Sequence, residues 1–115
     1  MVKIIEKIVD NVAVCAIEGK LSGFEGQGQI QDKIRDLLDR KINRIVLDLS
    51  KVSWIDSTGL GELIASLSST KKQDDGNLVL ANIQAPVQSL LRMTNLTQIF
   101  DLYENTSDAI AALNK

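Results

Sequence analysis

Ile45-Val46-Leu47-Asp48-Leu49-Ser50-Lys51-Val52-Ser53-Trp54-Ile55-Asp56-Ser57-Thr58-Gly59-Leu60-Gly61 runs from an apolar strand into a hydroxyl-bearing, glycine-containing helix start, and that junction decides the fold. Ile45, Val46 and Leu47, with Leu49, read as a buried strand. Asp56 and Ser57 carry side-chain oxygens suited to accept hydrogen bonds from the unpaired N–H groups of a helix's first turn. Beyond them Leu60, Leu63, Ile64 and Leu67 fall at helical spacing and define one apolar stripe. Gly59 and Gly61 sit inside the first turn, where each costs about 1 kcal/mol relative to alanine. Burial of the aliphatic side chains, at roughly 1.5–3 kcal/mol each, outweighs that cost, so a helix from Ser57 to about Lys72 is predicted. The glycines then need a reason of their own.

Working outward, Val2 to Ile8 and Val12 to Ile17 are β-prone runs joined by Val9-Asp10-Asn11, whose two short polar side chains suit a tight hairpin turn. A glycine-containing loop from Gly19 to Gly28 follows. Ile30, Ile34, Leu37 and Leu38 then recur at i, i+4, i+7 and i+8, the pattern of an amphipathic helix reaching Arg40. Residues 42 to 49 form the next predicted strand. After the Ser57 helix, Gln73-Asp74-Asp75-Gly76 is a stop signal, and Asn77 to Asn82 is a short apolar strand. Pro86 opens a helix whose inner face carries Val87, Leu90, Leu91 and Thr94. Leu96, Ile99, Phe100, Leu102 and Tyr103 suggest a last short strand, and Thr106-Ser107-Asp108 a cap for a terminal helix bearing Ile110 and Leu113. A hairpin followed by alternating helix and strand gives an α/β fold with a mixed four- to five-stranded sheet, an N-terminal antiparallel hairpin and about four helices.

Composition bounds the chemistry. The 115 residues, 44% of them hydrophobic, supply one core and are too few for two, so residues 1–115 are read as a single domain. A net charge of −2 with both signs interspersed lacks the positive patch that phosphate neutralisation requires, so nucleic acid is not an expected partner. The chain has no histidine, which excludes His-based triads and His-containing zinc sites. Its single cysteine, Cys15, lies in an apolar run and reads as a small buried hydrophobe; no internal disulfide is possible, and a cytoplasmic, reducing location is compatible. No phosphate loop or dinucleotide fingerprint is present, no cofactor or metal is expected, and enzymatic chemistry such as nucleotide hydrolysis has few candidates. The start of the chain carries charges too often for a signal peptide, and no apolar run suggests membrane insertion. A free monomer is the expected state.

The joint pattern Ile45-Val-Leu-Asp-Leu-Ser, Val52-Ser-Trp-Ile, Asp56-Ser-Thr-Gly-Leu-Gly61, Asn77-Leu-Val-Leu-Ala-Asn and Pro86-Val-Gln-Ser-Leu-Leu resembles the STAS domain, and within it the free-standing bacterial anti-sigma factor antagonists. The resemblance spans nearly the whole chain. It implies a STAS-like α/β fold and a module, not an enzyme, that binds an anti-sigma factor which is also an ATP-dependent serine kinase. The unphosphorylated form would bind that partner and free a sigma factor; phosphorylation of the serine after the aspartate, here Ser57, would end binding; a serine phosphatase would reset the switch. It places Asp56, Ser57, Thr58, Gly59, Leu60 and Gly61 at the partner surface, with Thr58 as a second acceptor, and adds Ser22 and Phe24 from the preceding loop. Ser22 stands where many relatives carry an acidic residue or Asn, so the charge supplied there is lacking. The resemblance also admits a non-switching STAS subunit or scaffold of a lipid-transport ATPase or sensory complex.

The residues agree with a switch. A phosphoserine adds about −1.5 to −2 charges at neutral pH, and a helix N-terminus offsets part of that, by roughly 0.3–1 kcal/mol when exposed. Asp56 beside it would make the modified site strongly anionic, so a docked partner would be repelled. Gly59 and Gly61 would let a partner approach the hydroxyl. The competing account makes Asp56 and Ser57 caps and the glycines aids to helix packing. Trp54 reads as core or rim packing, and Phe24 as either a partner contact or an aromatic folded over the core.

Overall fold

The computed structural model describes residues 2–21 and 28–115. β1 (Lys3–Val9) and β2 (Val12–Glu18) pair antiparallel, with Val9 opposite Val12. Asp10 and Asn11 between them adopt φ of 52° and 66°. A two-residue hairpin turn needs left-handed backbone there, and short Asp and Asn side chains tolerate it. The chain continues through α1 (Gln29–Asp39), β3 (Arg44–Lys51), α2 (Ser57–Lys71), β4 (Asn77–Ala81), α3 (Ala85–Met93), β5 (Leu102–Tyr103) and α4 (Thr106–Leu113).

The strands form one sheet in the order β1-β2-β3-β4-β5, antiparallel only at the first pairing. Side chains alternate across it as the period of two demands. Ile45, Leu47, Leu49, Leu78 and Leu80 face a large apolar cluster with Ile34 of α1, Leu63 of α2 and Val87 of α3. Val12, Val46, Val79 and Ala81 face a smaller one closed by Ala109 and Leu113 of α4. Three helices therefore cover one face and α4 part of the other. The central strands are buried on both sides, which is why Ile45, Val46 and Leu47 of β3 are apolar in succession and do not alternate.

The expected mixed sheet, hairpin and helices are all present, with three local departures. Leu96–Gln98 form a 3₁₀ turn instead of strand, entered by Asn95 at φ 61°, and only Leu102 and Tyr103 pair with β4. The Ile99 and Phe100 N–H groups both donate to the Leu96 carbonyl at 3.0 Å, local bonds of a helical turn that an extended strand cannot make. The α4 cap is Asn105, whose side chain accepts from the Asp108 N–H at 2.8 Å, and Thr106 is already helical. On α2 the buried arc runs through Gly59, Glu62, Leu63, Ser66, Leu67 and Thr70, leaving Ile64 at its exposed edge.

Candidate functional site

The start of α2 is held by the chain that leaves β2. The Gly19 N–H donates to the Lys51 carbonyl at 3.3 Å, the Leu21 N–H to the Trp54 carbonyl at 3.0 Å, and the Asp56 N–H to the Leu21 carbonyl at 3.0 Å. Leu21 and Ile55 thereby form an isolated parallel bridge beyond the end of the regular pairing. Both side chains are buried, so backbone pairing and apolar packing fix the loop together. Asp56 follows in extended conformation, φ −105° and ψ −173°, as the N-cap. Its carboxylate accepts from the Gly59 N–H at 3.0 Å while its carbonyl accepts the first helical bond, from the Leu60 N–H at 2.9 Å. Of the four α-helices only α2 and α4 start on a side-chain cap.

Ser57 and Thr58 are the first two residues of α2, and both are exposed. Their hydroxyls stand at the positive end of a 15-residue helix, where N–H groups are unpaired within the helix and negative charge is favoured. Gly61 is exposed as well, and a Cβ there would meet nothing within 4 Å. Asp56 is half-buried. These four residues share one accessible surface.

Gly59 and Leu60 do not belong to it. The expectation that both glycines clear the way for a partner is corrected at Gly59, which is buried against the β2 extension. A Cβ on Gly59 would run into the Leu21 carbonyl oxygen, with Leu21 Cβ at 2.9 Å and Ile55 Cγ2 at 3.0 Å. Glycine is required there so that helix and strand extension can touch. Leu60, placed at the partner surface by the resemblance and in the apolar stripe by its spacing, is 8% exposed and packs into the main core. Ser22 and Phe24 lie outside the described residues.

Trp54 is 56% exposed, which of its two readings, core or rim packing, leaves the rim. It forms the rim of a cavity of about 190 Å³ between the loop before α2 and the face of α3, with Pro86, Val87, Leu90 and Met93. Met93 is 81% exposed and gave no signal in the sequence, because periodicity marks buried positions and is silent about apolar residues left outside. Among the described residues no group of three or more Cys, Asp or Glu side chains is placed to hold a metal ion. No described helix is long and apolar enough to cross a membrane.

A family model described as the STAS domain matches residues 3–109. An anti-sigma F factor antagonist of Paenibacillus polymyxa is 31% identical over 99 residues, covering 82% of this chain and 83% of its own. The structure of TM1081 from Thermotoga maritima superposes with a TM-score of 0.84 at 30% identity, over 96% of this chain and 87% of that one. The Bacillus cell fate determinant SpoIIAA in its phosphorylated form shares the fold at 18% identity and a TM-score of 0.72, over 96% of this chain and 99% of its own.

Proposed function

Because the chain belongs to the STAS domain family, we propose that it is an anti-sigma factor antagonist whose binding is ended by phosphorylation of Ser57. In its unphosphorylated form it binds an anti-sigma factor that is also an ATP-dependent serine kinase, and so releases a sigma factor in the cytoplasm. A serine phosphatase restores the active form. The names of the relatives support the antagonist reading. One observation carries the switch: the exposed Ser57 hydroxyl at the capped start of α2, with Thr58, Gly61 and the edge of Asp56 around it.

The physical argument is about where the added charge is felt. A phosphate on an exposed first-turn serine leaves the core untouched and faces the unpaired N–H groups of α2, so the fold tolerates it. A partner docked over the same hydroxyl meets the phosphate and the Asp56 carboxylate at once, in a contact that water has left. The test is capture from native lysate with wild-type, Ser57→Ala and Ser57→Asp baits, with mass spectrometry of the bound proteins and of residue 57. Recovery of an ATPase-type serine kinase by wild type and Ser57→Ala, lost with Ser57→Asp, is the expected result. Equal recovery of one partner by all three baits, with Ser57 never modified, would make the chain a non-switching subunit.

A further inference from the structure

α3 carries two apolar rows. Val87 and Leu91 are buried in the core, and beside them Pro86, Leu90 and Met93 recur at i, i+4 and i+7. The second row meets Trp54 at the cavity of about 190 Å³. Met93 and Trp54 are more exposed than the other large apolar side chains left at the described surface, Ile5, Ile8, Ile64 and Ile99. Isolated apolar residues at a surface are ordinary, whereas the two most exposed ones meeting at one cavity call for an account. Among the described residues no charged side chain lines this cavity, and the polar ones are Ser53 and Ser89. Its volume falls below the ~300–1,000 Å³ usual for small-molecule pockets and suits a single inserted side chain.

We propose that this cavity anchors the anti-sigma factor by receiving one uncharged apolar side chain of that partner, of leucine or methionine size. The choice of partner rests on reading Ser57 as the switch. Trp54 and Ser57 are both exposed, and only three residues of chain separate their Cα atoms, a span of at most about 11 Å. A standard interface of ~800 Å² on each partner is a disc of roughly 16 Å radius, so one centred on the Ser57 hydroxyl extends over Trp54 and onto the cavity it shares with α3. The Ser57 surface itself, two hydroxyls, a glycine and the edge of a carboxylate, offers little apolar area to bury. Trp54 and Met93 supply that area at its border, and an accessible tryptophan beside a cavity is the type of residue on which binding energy concentrates. A charged insert would lose its hydration and find no counter-charge in the cavity, which restricts the partner's side chain to an apolar one. Affinity and control are thereby divided between two neighbouring parts of one contact: the cavity holds the partner, and the phosphate on Ser57 expels it.

The probe is the ATPase-type serine kinase recovered by the wild-type bait, purified and titrated into the full chain as wild type, Trp54→Ala, Met93→Ser and Ser57→Asp. Trp54→Ala should weaken binding at least about tenfold and Met93→Ser at least about threefold. Both side chains are exposed, so urea unfolding midpoints should stay at the wild-type value, and Met93→Ser keeps the test open if Trp54→Ala folds poorly. Trp54 is the chain's only tryptophan, so its emission should move to the blue and lose acrylamide quenching as the kinase docks, read against the same titration with Trp54→Phe. Binding that is lost with Ser57→Asp but indifferent to Trp54→Ala and Met93→Ser would overturn the anchor and leave the switch standing. Binding lost with the cavity variants but not with Ser57→Asp would support the anchor and remove the switch. No kinase recovered by any bait would overturn both. Sedimentation showing a dimer of the chain alone, abolished by Met93→Ser, would give the cavity to a second copy and overturn the anchor.

Discussion

At position 59 one methyl group separates a helix that docks from one that does not. Gly59 touches the Leu21 backbone, and its neighbour Gly61 two residues on faces open space. The same substitution should therefore have opposite signs at the two sites. Gly59→Ala is expected to destabilise by about 1–3 kcal/mol, because the Leu21 carbonyl is held by the Asp56 N–H and cannot yield freely. Gly61→Ala is expected to be neutral or stabilising, by up to about 1 kcal/mol. Urea unfolding midpoints measure both; equal losses would show that Gly61 is also packed. The sequence made both glycines conspicuous but could not tell them apart. The difference depends on Leu21, a residue remote in the chain that a local pattern does not register.

Among the elements, α2 departs most from its sequence pattern. Leu60, Leu63 and Leu67 were legible as its apolar stripe, yet its buried surface also takes in Glu62, Ser66 and Thr70. Polar side chains give no burial signal in a hydrophobic pattern, and the helix is wedged between α1 and the sheet over a wider arc than its leucines mark. Glu62 is 6% exposed, and its Oε1 is an acceptor taken from water without a hydrogen bond in exchange. Glu62→Leu is accordingly expected to raise stability by about 1 kcal/mol or more, read as a higher melting temperature; a loss would reveal a polar role for the carboxylate. The strand expected over residues 96 to 103 failed for a related reason. Leu96, Phe100 and Leu102 fit a period of two as well as a helical turn, and the chain closes local bonds from the Ile99 and Phe100 N–H groups to the Leu96 carbonyl instead of pairing there with β4.

Across the molecule, ionisable groups join elements that the core alone would leave loosely related. Glu6 on β1 accepts from Arg40 at 2.7 Å and from Lys33 at 3.3 Å, tying the edge strand to α1 and its C-cap. The Arg40 hydrogen bond, first among the causes, holds the Glu6 carboxyl below its ordinary value. A carboxylate depressed in the folded state adds stability above its unfolded pKa and loses it as pH falls through the folded one. Glu6→Gln should cost under about 1 kcal/mol at neutral pH, and its difference from wild type should vanish below the ordinary carboxylate range, as urea titrations at several pH values will show. Cys15 has the opposite sign: burial in the middle of the sheet pushes its thiol up to about 11 from 9.0. Its contribution is complete below 9.0 and fades toward 11, as the unfolded chain gives up the proton first. Relative to Cys15→Ala, the wild type should lose stability over that interval. A thiol reagent at neutral pH should label Cys15 only through opening of the sheet; rapid native labelling would contradict its burial.

The sheet order β1-β2-β3-β4-β5 is also the order of synthesis. As the chain emerges from the ribosome, each strand from β2 onward finds its predecessor already made, and the sheet can lengthen by addition at one growing edge without any strand being threaded between two others. α4, last to appear, covers Val46 and Val79 only after both their strands are in place. Vectorial assembly of this kind keeps the unfinished edge always at the newest strand, so a nascent chain stalled before β5 would present β4 as its sticky end, while β1, with Lys3 and Lys7 spaced along it, guards the other border throughout.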